Sequence, residues 1–274
     1  MSAQNTAVVE RPPEIGQGWT RSRTIGVTLL AIWGALGLGL VAFLINSWNA
    51  EVFTRYAPRY LSGLWITIQL VGVSIILGAI LSVPIALGRM SRNRLVGAIA
   101  YAYVYIFRGT PLLAQTFLVY YGLGSFRPEL QALGLWGFFR EAWYCAVFAF
   151  TLNTAAYQAE ILRGAIESVG RGQWEAASAL GISRLRTFWR IILPQAMIVA
   201  LRPYGNEIIL MIKGSAIVAI ITVYDLMGET RRAYSRTFDF QTYIWAAIIY
   251  LAIVEVLRNT IDWIERRITK HLKR

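Results

Sequence analysis

Residues 60–87 read YLSGLWITIQLVGVSIILGAILSVPIAL, twenty-eight residues without one charged side chain. A helix crosses a hydrocarbon core of about 30 Å with roughly 20 predominantly apolar residues. A helix that is apolar on every side has no face for water, so this run belongs in a bilayer or at the centre of a large core. Comparable runs lie at 25–46, 96–121, 143–162, 196–223 and 243–261. They predict an all-α, polytopic membrane helix bundle of six transmembrane helices. Pro84, Pro111 and Pro203 fall inside or near the ends of three runs, where a kink or a tilt absorbs excess length.

Composition agrees. The chain has 274 residues, of which 56% are hydrophobic and 15% charged, and its mean hydropathy is +0.49. Too few polar groups remain to cover a soluble globule. The net charge of +12 is dispersed in short clusters between apolar runs rather than along one face, so nucleic acid is not an expected partner. Cys145 and His271 are the only residues of their kinds, which leaves no material for a disulfide framework, a metal cluster or a Ser-His-Asp triad. Neither a metal site nor a catalytic residue is expected.

The cations report topology. With six spans, Lys and Arg of the two tails and of the segments after 87 and 162 number sixteen, against seven on the other side. The positive-inside rule then places both termini in the cytoplasm, although Arg231, Arg232 and Arg236 run against it. Residues 1–24, with Pro12, Pro13, Gly16 and Gly18, read as a flexible cytoplasmic tail, residues 25–46 as a retained first helix, and residues 263–274 as a basic cytoplasmic tail.

Between the fourth and fifth runs, residues 164–195 are too long for a simple connector and too patterned for disorder. A first short helix over 173–180 ends at Gly181, which can take the left-handed conformation that terminates helices. Ser183 then caps a second helix over 184–192, which stops before Pro194. Trp174, Ala177, Leu180, Phe188 and Ile192 provide apolar anchors and Arg184, Arg186 and Arg190 a basic rim, a combination suited to a groove on another protein.

The same segment carries Glu175-Ala176-Ala177, three residues, Gly181, nine residues, Ile191, one residue, then Leu193-Pro194. It resembles the EAA loop of ATP-binding-cassette importer permeases at every fixed position and at both spacings. Phe107-Arg108-Gly109-Thr110-Pro111-Leu112, Ala156-Tyr157-Gln158-Ala159-Glu160 and Arg163-Gly164-Ala165-Ile166-Glu167-Ser168-Val169 extend the resemblance to the polar amino acid uptake branch. Thr151-Leu152-Asn153-Thr154 and Asn206-Glu207-Ile208-Ile209-Leu210-Met211 look closest to the M-type subunit of histidine, basic amino acid and opine permeases. The resemblance implies a five-helix permease core over 60–262 in the bacterial inner membrane, to which 25–46 is an addition. It also implies that Glu175, Ala176, Ala177, Gly181, Ile191, Leu193 and Pro194 couple the chain to an ATPase. The implied partners are a dimer of ATP-binding subunits that hold ATP and Mg²⁺, a second, Q-type permease chain in a heterodimer, and a periplasmic solute-binding protein.

No phosphate-binding G-x-x-x-x-G-K-[ST] occurs in the chain, so any ATP hydrolysis takes place elsewhere and this chain needs no cofactor of its own. The expected role is translocation of a polar, basic amino acid or an amino-acid-derived opine. The alternative class is a gradient-driven secondary transporter with Glu160 and Glu207 as proton sites, but such a carrier has no use for the 175–194 pattern.

Charges at membrane depth cost roughly 3 kcal/mol on insertion scales, so they are paired or line a cavity. Asn153, Tyr157 and Glu160 share one face of the fourth helix, and Arg202, Asn206 and Lys213 one stripe of the fifth. One reading makes Arg108, Asn153, Tyr157, Glu160, Asn206 and Glu207 a substrate path. Glu160 or Glu207 then meets the ammonium or basic side chain, and Arg108 or Asn206 the carboxylate. The other reading makes them bundle-holding pairs, Arg108 with Glu207 and Glu160 with Arg163.

Overall fold

A computed structural model describes residues 19–46 and 48–270. The expected flexible tail over 1–18, with its prolines and glycines, and the last basic residues, 271–274, lie outside the described residues. The described chain divides into two compact units, which meet in the numbering at residue 49.

The first unit holds α1 (Arg21–Asn46), a 26-residue apolar helix over the first predicted span. The second opens with α2 (Ala50–Arg89), whose 40 residues give about 60 Å of helix. Then follow α3 (Arg94–Gly109), α4 (Leu112–Phe117) and a π-turn at Leu118–Gly122. Two short helices, α5 (Arg127–Ala132) and α6 (Trp136–Phe139), lead to α7 (Ala142–Ser168). Next come α8 (Arg171–Ala179), α9 (Arg184–Thr187), a π-turn at Phe188–Ile192 and α10 (Leu193–Ser215), which tightens into a 3-10 turn at Ala216–Ile221. The chain closes with α11 (Leu226–Thr237) and α12 (Gln241–Ile268). The all-α membrane bundle is therefore as expected.

Two spans differ from the sequence reading. The run 96–121 is not one rod: α3 and the helix over Leu112–Gly122 meet at 102°. Pro111 has no N–H, and the residue before a proline avoids the helical region, so the helix ends at Gly109 and Thr110 is extended. Among the described residues four helices are long and apolar enough to cross a membrane, and five if the bent pair counts as one. The remaining predicted span, α7, falls short in hydropathy because Asn153, Gln158, Glu160 and Arg163 lie along it.

Those polar groups are tolerable because α7 is the centre of the second unit. Ala146, Phe150, Ala155, Ala156 and Ala159 are at most 1% exposed. Leu70 and Val71 of α2 and Met211 and Ile212 of α10 pack with Ala146 and Phe150 in one cluster. Cys145, fully buried, behaves as the small core residue its surroundings imply. Alanine on α7 and glycine on α2 let the backbones approach. A Cβ at Gly78 would stand 2.5 Å from Thr154 Cγ2 and 2.9 Å from Gln158 Nε2. Gly78→Leu is therefore expected to overpack the α2–α7 seam at a cost of about 1–3 kcal/mol. Gly72→Leu on the same helix, with nothing within 4 Å, is expected to be harmless. Thermal unfolding of the purified protein in detergent should separate the two.

Candidate functional site

Two features beyond the core carry chemistry. The first is the segment between α7 and α10. Helix α8 ends through a closed turn: Ile182 N–H donates to Ala177 O and Gly181 N–H to Ser178 O, both at 3.0 Å, with Gly181 at φ +69°. That is the glycine-terminated end its sequence predicts. The Ser183 side chain makes no cap; its backbone carbonyl starts α9 instead, accepting from Thr187 N–H at 2.9 Å. The second helix also does not stop before Pro194. It widens into the π-turn and continues as α10, with Pro194 in the first turn. The wide turn makes room for the proline ring and for its absent N–H.

The predicted anchors divide by burial. Ala177 and Ile192 are at most 1% exposed, and Trp174, Phe188, Ile191 and Leu193 pack partly buried against the cluster that contains Ile192. They hold the segment to its own bundle, and Ala177 and Ile192 are covered by it. The apolar groups left outward are Leu180, Leu185 and Trp189, all at least 60% exposed. A concavity of about 800 Å³ lies between α8 and α9, lined by Trp174, Glu175, Ser178, Ile182, Arg184 and Leu185 among others. Glu175, Ala176, Gly181 and Pro194 are exposed.

The second feature is a cluster of ionised side chains around Glu160. Arg89, in the last turn of α2, brings Nε to 2.8 Å from Glu160 Oε1, and Arg163 Nη2 lies 2.8 Å from Oε2. Arg163 also binds Glu167 through Nη1 at 2.6 Å. Arg108, in the last turn of α3, stands back at 3.9 Å from Oε2. Its guanidinium lies 5.1 Å from the centre of the Tyr157 ring, as Arg89 lies 4.9 Å from that of Tyr101. Three guanidiniums against two carboxylates leave one positive charge in excess. Arg108 carries it into the open, its side chain 44% exposed against 13% for Glu160.

Two cavities meet there. One of about 340 Å³ is lined by Arg89, Tyr101, Tyr105, Arg108, Tyr157 and Glu160 among others; the second, of about 410 Å³, runs past Ile161, Gly164, Val199 and Pro203. Arg108, Tyr157 and Glu160 line both. Both oxygens of Glu160 are occupied by guanidinium groups, so the cavities present a cation, and what a free guanidinium fork holds best is a carboxylate.

The rest of the sequence-derived path lies elsewhere. Glu207, 5% exposed, accepts a hydrogen bond from Thr154 Oγ1 at 2.8 Å inside the bundle. The Arg108 guanidinium acts on it electrostatically without forming an ion pair with it. Asn153, 6% exposed, donates to Phe107 O and to Gln115 Oε1, both at 3.0 Å. Asn206 is exposed on α10 and lines neither of the two cavities. Arg202, assigned to a polar stripe, is paired with Glu265 of α12 at 2.7 Å. A shared helix face places side chains on one side of α7, but the neighbouring helices decide which of them are covered. Sequence reasoning missed Arg89, which looks like an ordinary topology cation at a helix end, and Gln115, whose only sequence cue is its place four residues after the Pro111 break.

A family model described as binding-protein-dependent transport system inner membrane component matches residues 74–270. The nopaline transport system permease protein NocM of Agrobacterium fabrum is 44% identical over 226 residues, 82% of this chain and 94% of that protein. The histidine/lysine/arginine/ornithine transport system permease protein HisM of Escherichia coli is 38% identical over 213 residues, 77% of this chain and 90% of that protein. Among solved structures, an amino acid ABC transporter crystallised with histidines matches with a TM-score of 0.72 and 34% identity over 81% of this chain and 99% of that one. The MetNI methionine ABC transporter shares the fold, at a TM-score of 0.64 and 18% identity over 77% of this chain and 96% of that one.

Proposed function

The chain belongs to the binding-protein-dependent transport system inner membrane components, and we propose that it is the membrane-spanning permease subunit of an ATP-binding-cassette importer for a basic amino acid or an opine. The observation that carries the class is the family match over 74–270 together with relatives that are themselves amino acid and opine permeases. Transport is its work; catalysis of ATP hydrolysis, with ATP and Mg²⁺, belongs to a dimer of partner subunits. In this proposal the α8–α9 end faces the cytoplasm with both termini, and Glu175, Ala176, Ala177, Gly181, Ile191, Leu193 and Pro194 form the coupling segment. Exposed Leu180, Leu185 and Trp189 touch the ATPase, while Trp174 and Ile192, packed in one cluster with residues of α7 and α10, transmit its movement to those helices. A second, Q-type permease chain completes a heterodimer, and a periplasmic solute-binding protein delivers the solute. The helix α1 precedes the matched region and is an addition to the five-helix core.

The substrate reading rests on the Glu160 cluster. Arg108 takes the substrate carboxylate, Tyr157 supports the guanidinium from its ring face, and Glu160 with Arg89 and Arg163 fixes the wall behind it. Neither Glu160, already saturated, nor buried Glu207 meets the cationic end, which falls to the partner permease chain. The test is purification of the tagged chain from mild detergent, followed by an ATPase assay with the binding protein and L-arginine, L-histidine or nopaline. Co-purification of an ATPase and a second permease chain, with hydrolysis stimulated by one of these solutes, is the expected result. A lone chain, indifferent to ATP, would return the assignment to a gradient-driven carrier.

A further inference from the structure

Arg108 sits at an awkward place in the chain, two residues before the 102° break between α3 and the helix over Leu112–Gly122. A helix end leaves its last carbonyls without intrahelical partners. Here Pro111 can donate to none of them, and Gly109 gives the backbone freedom to move. Left to itself, such a joint would let Arg108 swing through a wide arc.

Two buried amides hold it. Gln115 Nε2 lies 2.9 Å from Phe107 O, 3.1 Å from Thr110 O and 2.8 Å from Thr110 Oγ1, so its two hydrogens are shared among three acceptors. Asn153, from α7, places Nδ2 3.0 Å from the same Phe107 O and 3.0 Å from Gln115 Oε1. Gln115 is 7% exposed and Asn153 6%. The carbonyl immediately before Arg108 thus accepts from both amides, and the first carbonyl after Gly109 accepts from one. With φ and ψ pinned on both sides, Arg108 leaves the joint in one direction, towards Tyr157 and Glu160.

We propose that Gln115, locked by Asn153, is a positioning residue for substrate capture: it clamps the broken α3–α4 span so that the Arg108 guanidinium is presented to the carboxylate of the solute. This rests on the reading of Arg108 as the carboxylate anchor. The clamp acts from behind the site, since both amides are buried and neither lines the two cavities.

The experiment compares ligand binding by the full detergent-solubilised complex, without binding protein, using tritiated L-arginine displaced by unlabelled L-arginine or by agmatine, which is arginine without its carboxylate. The wild type is expected to prefer L-arginine by roughly tenfold or more, the discrimination of one charge-assisted bidentate contact. Gln115→Met keeps side-chain length and removes every donor, and Asn153→Leu does the same from the α7 side. Each is expected to bring the preference down to about threefold or less, with the number of binding sites per complex unchanged. Adding either to Arg108→Ala should change nothing further, because residues acting through one contact are not additive. Loss of the preference in Arg108→Ala but its full retention in both clamp variants would overturn the positioning role while leaving the anchor in place. Retention of the preference in Arg108→Ala, or its absence in the wild type, would overturn the anchor reading instead. A purely structural role would lower the number of sites and leave the preference intact.

Discussion

Arg108→Ala is expected to lower solute uptake by about 30- to 100-fold, the equivalent of roughly 2–3 kcal/mol for one charge-assisted bidentate contact. The size follows from what else is available to the ligand. Arg89 and Arg163 are each within 2.8 Å of Glu160, and Arg163 also serves Glu167. Pulling either towards a substrate would strip a counter-charge from a partly buried carboxylate. Arg108 makes only the 3.9 Å approach and a ring contact, so it reorients at little cost. Arg108→Lys keeps the charge but loses the fork and should recover only part of the activity. Uptake into proteoliposomes, with the binding protein at fixed saturation, reads the loss. Basal hydrolysis by the partner ATPase, measured in parallel, should persist. Uptake within threefold of wild type would move the carboxylate contact to another chain.

How much of this was legible beforehand depends on what fixed each feature. The apolar run at 60–87 sufficed for α2 because a bilayer demands length and apolarity and nothing finer. The end of α8 was equally readable, since Gly181 answers a local backbone requirement. Failures came where tertiary contact outweighed local pattern. The break at Thr110–Pro111 was masked by apolar residues on both sides, which hydropathy joins into one span although proline does not. Asn153 and Glu160 share a face of α7, yet one is covered by the α3–α4 joint and the other opens on two cavities. Periodicity reports direction around a helix axis and is blind to what stands opposite. The pattern marks Ala177 and Ile192 as apolar anchors for a groove on another protein, whereas they are buried in their own bundle. Glu160 and Arg163 were foreseen as a pair because i,i+3 spacing is local, whereas Arg89 arrives from another helix across 71 positions of sequence.

Gly181→Val is expected to abolish most ATP-driven uptake, by tenfold or more at a local strain of about 1–2 kcal/mol for a side chain held in the left-handed region. No steric conflict contributes, because a Cβ at Gly181 would meet nothing within 4 Å. The whole effect is conformational. With φ pushed away from +69°, the donations of Ile182 N–H to Ala177 O and of Gly181 N–H to Ser178 O are lost together. The chain then leaves α8 in another direction and carries α9 with it. Arg184 and Leu185 no longer face Trp174 and Glu175, and the concavity between α8 and α9 closes or opens. The membrane core should survive, since Trp174 on α8 and Ile192 beyond α9 belong to a cluster built mainly on α7 and α10. Hydrolysis and transport should therefore part company: the complex still turns over ATP, or loses its ATPase on a size-exclusion column, while solute accumulation fails. Gly181→Asn separates backbone from side chain, because asparagine tolerates the left-handed conformation far better than valine. It should restore most of the uptake. Wild-type accumulation by the valine variant would mean that the 171–194 segment does not transmit movement through its turn, and coupling would then have to run through the exposed apolar side chains of α9 and the π-turn alone.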